Sequence, residues 1–344
     1  MSDRVAARIV GIATHLPDRI LNNDELAAIF PEWTAEKIEK KLGIRERRIA
    51  APNETASDLA FLAADKLLRE TGFARDEVDF LIFCTQAPDY ILPTSACLLQ
   101  SRLGLRQGVG AFDINLGCSG YVYCLAVAAG LIASGAARSV LLLTADTYSK
   151  FINPGDRSIR TLFGDAAAAT LVCAAPADVE GAPTIGPFVF GTDGTGAKAL
   201  MIETGGARRA RDEGTGQAIK DAAGNVRSLD DLKMNGAGVM SFSLKVVPPC
   251  INELLVKSGL TRDEIDYYVL HQANKFMLDA LGKSLKLPAA ALPRNFEDVG
   301  NTVSSSIPYV LEQMLSDGQL APGKRAMLVG FGVGLSWAAG LVSF

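Results

Sequence analysis

The sequence predicts an α/β chain built from two similar halves, and three observations carry that expectation. First, "LLRETGFARDEVDFLIF" (Leu67 to Phe83) aligns without gaps on "LLVKSGLTRDEIDYYVL" (Leu254 to Leu270), sharing Leu-Leu, Gly, Arg-Asp-Glu and Asp at matching places. Second, each copy is followed by a similar series. The first continues into "LGCSG", a helix, "SVLLLTAD" and "AAAATLVC"; the second into "VGNTVSSS", a helix, "RAMLVGFG" and "SWAAGLVSF". Third, the strand-like stretches are near-continuous apolar runs, as in sheets covered on both faces.

Composition sets the outer bounds. The 344 residues are 49% hydrophobic and 21% charged, which is an ordinary globular balance. That length suits two domains or one large duplicated unit. A net charge of −4 without a dense Lys/Arg block gives no reason to expect nucleic-acid binding. The six cysteines are scattered, with no CxxC pair, which argues for reduced thiols in the cytoplasm over a disulfide scaffold. With only His15 and His271 as histidines, no closely spaced zinc ligand set is visible, and no metal site is expected.

The elements follow in chain order. The opening "MSDRVAARIVGIATHLPDR" lacks the apolar core of a signal peptide. Each copy of the repeat reads as a helix end, a glycine stop, an acidic turn and an apolar strand. Ile114 to Ala137 is uncharged and long enough to span a membrane. Its Asn115, Ser119 and Ser134, and its wealth of Gly and Ala, favour a turn followed by a helix buried on all sides. Gly191 to Asp231 is rich in glycine and charge and reads as loops or a surface cap, either over a substrate entrance or as a solvated excursion. The expected organisation is a first half over residues 1–185 with the nucleophile, a connecting segment over 186–240, and a second half over 241–344 with His and Asn.

The chemistry centres on three residues. Cys118 lies between Gly117 and Gly120 just before a helix, where first-turn amides and the helix dipole favour a thiolate. Such a thiolate accepts an acyl group from a thioester; the bland alternative is a small buried hydrophobe. His271 ends the second copy's apolar strand, in the place Cys84 holds in the first, and can exchange a proton or sit as a satisfied core histidine. Asn301 opens a helix where an N-cap is the common role. The duplication pairs its position with Cys118, which also makes it a candidate active-site amide. Helix starts facing one another across a pseudo-twofold would bring Cys118, His271 and Asn301 together. "GFGVGLSW" (Gly330 to Trp337) is no nucleotide fingerprint; its amides can join that of Cys118 in an oxyanion hole, or simply make a tight turn.

Together these residues resemble the β-ketoacyl-ACP synthase III family of the thiolase superfamily. The likeness runs over nearly the whole chain and includes "GIRERRIAAPNETASDLA", "DINLGCSGYVYCL", "LFGDAAAATLV", "LHQAN", "VGNTVSSSIP" and "GFGVGLSWAAGLVSF". The resemblance implies a thiolase-like duplicated five-layer αβαβα fold and a homodimer. It implies that Cys118 takes an acyl group from acyl-CoA or an acyl carrier protein. Malonyl-ACP or a similar extender then loses CO2 and condenses, with His271 and Asn301 polarising its thioester carbonyl. By the same likeness the amides of Cys118 and Val333 hold the oxyanion, Phe331 and Leu92 serve the acyl pocket (Leu92 in the partner subunit), and Trp33 and Arg157 flank the CoA adenine. No metal or redox cofactor is implied. Where the family often has Arg after "HQAN" this chain has Phe276, and Ala237 replaces a pocket Asn. With a longer inter-half segment, these departures suggest a specialised member with a longer or unusual acyl group. Two other readings remain: a same-fold acyltransferase that delivers to a hydroxyl or amine, although such relatives often lack the Asn, and a non-catalytic partner subunit, although those typically lose Cys or His.

Overall fold

The computed structural model describes residues 5–176 and 183–344. Two sheets carry the fold. The first has five strands in the order Val5–His15, Ala166–Pro176, Ser139–Asp146, Phe80–Cys84, Gly110–Ile114. The second has four in the order Thr184–Thr192, Ser336–Ser343, Arg325–Gly332, Tyr267–Leu270. Along each order the first two pairings are antiparallel and the third is parallel. The sheets thus share one topology, and Gly110–Ile114 extends the first by a further parallel edge strand.

The apolar strands feed two cores at once, because successive side chains leave a strand on opposite faces. In Phe80–Cys84, Leu81 and Phe83 pack outward under the helix Ala56–Thr71, while Ile82 and Cys84 face inward. In Arg325–Gly332, Met327, Val329 and Phe331 join the outer core with the helices Gly236–Ser258 and Lys275–Leu285, while Ala326 and Leu328 face inward. The inward residues of both sheets meet the helices Gly120–Ala133 and Ser306–Ser316. The layers are therefore helix, sheet, helix, sheet, helix, the duplicated αβαβα arrangement.

The gapless repeat has a physical cause. Its paired leucines, Leu67 and Leu68 in one copy and Leu254 and Leu255 in the other, are buried near the ends of Ala56–Thr71 and Gly236–Ser258. Each helix ends on a glycine in the left-handed region, Gly72 at φ 66° and Gly259 at φ 70°, where a side chain would be strained. The shared Arg-Asp-Glu forms a 3-10 turn in both copies, and a buried strand follows.

Two expectations change. The boundary at 185/186 cuts the strand Thr184–Thr192, which pairs with Ser336–Ser343 and opens the second half; its Gly and Pro hid it as a strand. The helix Gly236–Ser258 likewise crosses the boundary at 240/241. That helix is the one, among the described residues, long and apolar enough to cross a membrane. It carries Pro248 and Pro249 and buries Val247, Ile251 and Leu254 in the outer core of the second half. The uncharged stretch after Ile114 is a turn followed by Gly120–Ala133 in the central layer.

Candidate active site

The parallel strands of both sheets end where the central helices begin, and such carboxyl ends are where open α/β sheets place their clefts. Cys118 lies two residues before the helix Gly120–Ala133. His271 follows the strand Tyr267–Leu270, and Asn301 lies ahead of the 3-10 turn Val303–Ser305 and the helix Ser306–Ser316. All three line one cavity, together with Phe331, Gly332, Leu200 and Met234. Each is at most 5% exposed.

Around Cys118 the backbone is crowded. A Cβ at Gly332 would stand 3.0 Å from Cys118 Sγ and 2.9 Å from its Cβ, so the glycine-rich hairpin turn closes against the thiol. Among the described residues neither the Cys118 nor the Val333 amide donates to a backbone carbonyl. Burial pushes the Cys118 thiol well above its ordinary pKa, the Asp146 charge adds to the rise, and only its own backbone N–H opposes it. The stabilised thiolate expected from a helix start is therefore not the state of the substrate-free chain. Desolvation outweighs the one backbone N–H that favours the charge.

His271 is held neutral: burial pushes its pKa down to about 3. Its Nδ1 lies 2.7 Å from Ser306 Oγ, and the Gln272 N–H donates to that oxygen at 3.4 Å. A Ser306 hydroxyl that accepts from Gln272 keeps its own proton available to Nδ1, so the contact is compatible with the tautomer that carries the imidazole proton on Nε2. The ring meets Phe331 edge-on, centroids 5.7 Å apart.

Asn301 is fixed at both ends. Its backbone N–H donates to Leu162 O at 2.9 Å, and its carbonyl accepts from Gly164 N–H at 3.0 Å. Oδ1 accepts from Val303 N–H at 3.0 Å, an Asx turn one residue ahead of the cap position at Thr302, and the amide nitrogen is the end left over as a donor. Val303 itself takes φ 53°, uncommon for a β-branched residue and the kind of local strain found at functional sites.

Beneath Cys118 lies a polar network the sequence reading missed. Asp146, fully buried, accepts from Gln86 N–H at 2.8 Å and from the Ser304 N–H and hydroxyl at 3.3 and 2.5 Å. Gln86 in turn accepts from Tyr148 Oη and donates to Asn115. Asp146 thus ties the first half to the loop that carries Asn301. Burial pushes its pKa up to about 7, against the hydrogen bonds that favour its charge. A signal existed: Asp146 ends an all-buried strand, as His271 follows one. Ser306 was inside a quoted motif without being given a role.

The remaining expected positions divide. Trp33 and Arg157 come together: the Arg157 guanidinium carbon is 5.2 Å from the indole centroid, with Lys41 Nζ at 4.6 Å and Lys37 Nζ at 5.4 Å. Phe331 and Val333 sit at the cavity and its turn. Leu92 does not line this chain's cavity; it is 79% exposed, beside the exposed Tyr90 and Ile91. The segment Gly191 to Asp231 is not all loop: it carries the short strands Leu200–Met201, Ile219–Lys220 and Val226–Arg227, and Leu200 walls the cavity. Residues 205–224 are exposed apart from Thr215, and Met234 just beyond the segment also lines the cavity.

A family model described as 3-oxoacyl-[acyl-carrier-protein] synthase III matches residues 112–194, and one for the C terminal of that family matches 255–344. A β-ketoacyl-[acyl-carrier-protein] synthase III of Caldanaerobacter subterraneus is 35% identical over all of this chain and 99% of its own. A crystal structure of a 3-oxoacyl-(acyl-carrier-protein) synthase III superposes with a TM-score of 0.96 at 57% identity, covering 98% of this chain and 100% of that one. The priming β-ketosynthase of the R1128 polyketide biosynthetic pathway reaches 0.86 at 32% identity, covering 100% and 98%.

Proposed function

The chain belongs to the 3-oxoacyl-[acyl-carrier-protein] synthase III family, and from that premise we propose how its own residues run a β-ketoacyl synthase reaction. The chain is a condensing acyltransferase. Cys118 Sγ attacks the thioester carbonyl of an acyl-CoA or acyl-ACP; a new C–S bond forms, and the donor thiol leaves with the cysteine's proton. Malonyl-ACP or a similar extender then enters. As its C–CO2 bond breaks, the electron pair moves into an enolate. Its oxygen takes hydrogen bonds from His271 Nε2–H and Asn301 Nδ2–H. The enolate carbon attacks acyl-Cys118, the Cys118 and Val333 amides hold the tetrahedral oxyanion, and the intermediate expels the thiolate to give a β-ketoacyl thioester.

The observation that carries this reading is the pair of donors beside Cys118. A histidine held neutral cannot act as a strong acid, but it donates a hydrogen bond in a water-poor site. Asn301, its oxygen already used, does the same. Each such donor is worth on the order of 10²–10³ in rate. Phe331 shapes the acyl end of the cavity, and Trp33 with Arg157 holds the adenine end of CoA. Substrates, and no bound cofactor or metal, supply the chemistry. The bare apolar tip Tyr90–Ile91–Leu92 and the open edge strand Gly110–Ile114 suit a homodimer in which Leu92 enters the partner's acyl pocket. Six free cysteines suit the cytoplasm. The departures at Phe276 and Ala237, with likeness to a polyketide priming enzyme, favour a specialised acyl group.

The test is incubation with acyl-CoAs of graded chain length, read by intact mass with peptide mapping and a Cys118→Ala control. A Cys118 adduct from one chain class supports the reading and names the primer. An adduct elsewhere, or none from either acyl-CoA or acyl-ACP, overturns it.

A further inference from the structure

The segment between the halves folds into a hairpin, and that hairpin grips the residue proposed to face the CoA adenine. Its strands are Ile219–Lys220 and Val226–Arg227, paired antiparallel. Asp221 stiffens the tip by accepting the Ala223 and Asn225 N–H groups, both at 2.9 Å. Four contacts then reach the Gly155–Ser158 stretch. The Ala223 carbonyl accepts from Arg157 Nη2 at 2.9 Å. Asn225 Oδ1, on a residue 5% exposed, accepts from Ser158 N–H at 3.2 Å. Val226 N–H donates to the Gly155 carbonyl at 3.0 Å. Arg227 Nε lies 3.3 Å from Oδ2 of the fully buried Asp156, while its Nη2 is 2.5 Å from Asp221.

Arg157 therefore has two kinds of support. Glu32, beside Trp33, is 60% exposed at its side chain and contributes little rigidity. The hairpin supplies the stiff side: a backbone carbonyl held by Arg227, which runs from the fully buried Asp156 out to Asp221 at the hairpin surface. Removing Arg227 leaves Asp156 buried with no cation, a costly state that the stretch relieves by shifting toward solvent or by protonating the carboxyl, and either change loosens its hold on the hairpin.

We propose that the hairpin Ile219–Arg227 is a positioning element that sets Arg157 against Trp33 and thereby makes the acylation step prefer a CoA thioester over a donor lacking the nucleotide. This rests on the reading that Trp33 and Arg157 hold the adenine.

The experiment compares one acyl group presented on CoA and on pantetheine, with thiol release from the acylation of Cys118 as readout. Arg227→Met is expected to raise KM for the acyl-CoA about tenfold, to leave kcat near wild type, and to leave kcat/KM for the acyl-pantetheine unchanged. Arg227→Lys, which can still neutralise Asp156, is expected to recover part of the loss. Trp33→Ala tests the underlying reading by the same donor ratio. If Trp33→Ala abolishes the CoA preference and Arg227→Met leaves it intact, the adenine reading stands and the hairpin proposal is overturned. Equal losses on both donors from Arg227→Met also overturn it, since they mark a merely structural residue. If neither variant moves the ratio, the adenine reading fails and the proposal falls with it.

Discussion

Two buried groups at the active site should drive stability in opposite directions with pH. His271 is depressed to about 3 from its ordinary value of 6.5. Below its unfolded pKa the unfolded chain takes a proton that the folded chain refuses, so this group costs stability as pH falls. Asp146 is raised to about 7 from 3.8. In that range the folded chain keeps a proton that the unfolded chain has lost, so this group gains stability as pH falls. At about 1.4 kcal/mol per pH unit per proton, acidifying from about pH 7 to 4.5 costs roughly 2–3 kcal/mol through His271 and returns a similar amount through Asp146. The near-cancellation hides both in the wild type. The perturbations are His271→Asn and Asp146→Asn, and the assay is urea denaturation at fixed protein concentration across that window. Each variant is read as a difference from wild type, so that the other titrating groups drop out. The advantage of wild type over His271→Asn should shrink on acidification, and its advantage over Asp146→Asn should grow. A flat difference for His271→Asn would refute the claim that burial holds the imidazole neutral, and with it the assignment of His271 as a hydrogen-bond donor rather than an acid.

Three further outcomes follow from the geometry. Asn301→Asp puts an acceptor where the enolate oxygen needs a donor; extender decarboxylation should fall by about 10²–10³-fold while Cys118 acylation, followed by intact mass, changes little. Gly332→Ala drives a methyl group against the thiol; acylation should fall by roughly 10²-fold, measured as released CoA, and wild-type rates would place the turn away from the thiol. Because Cys118 is buried and its pKa raised, alkylation of the substrate-free enzyme should be slow at neutral pH and climb without a plateau through about pH 9. An early plateau, seen by mass mapping, would show a stabilised thiolate.

Much of the architecture was legible because local chemistry repeats. The Gly72 and Gly259 stops, the two Arg-Asp-Glu turns and the two-faced apolar strands are each fixed by residues within a few positions of one another. They recur because both halves solve the same packing problem. The strand Thr184–Thr192 escaped notice because its partner, Ser336–Ser343, lies far along the chain, and no local pattern reports a long-range ladder.

The site divides along the same line. The residue types and their order alone marked Cys118, His271 and Asn301 as candidates, since a nucleophile before a helix and a polar group after a buried strand are local signals. What they do was decided by tertiary structure. Burial, which belongs to the assembled layers, keeps the thiol protonated and the imidazole neutral, reversing the first expectation for Cys118. The contact of Ser306 with Nδ1 leaves Nε2 as the free ring nitrogen of His271, and the Val303 N–H takes the Asn301 oxygen and leaves its amide nitrogen free. Asp146 links the two halves beneath the nucleophile through partners 60 and 158 residues away in sequence. A sequence supplies the groups; desolvation and hydrogen-bond direction depend on what the fold places around them.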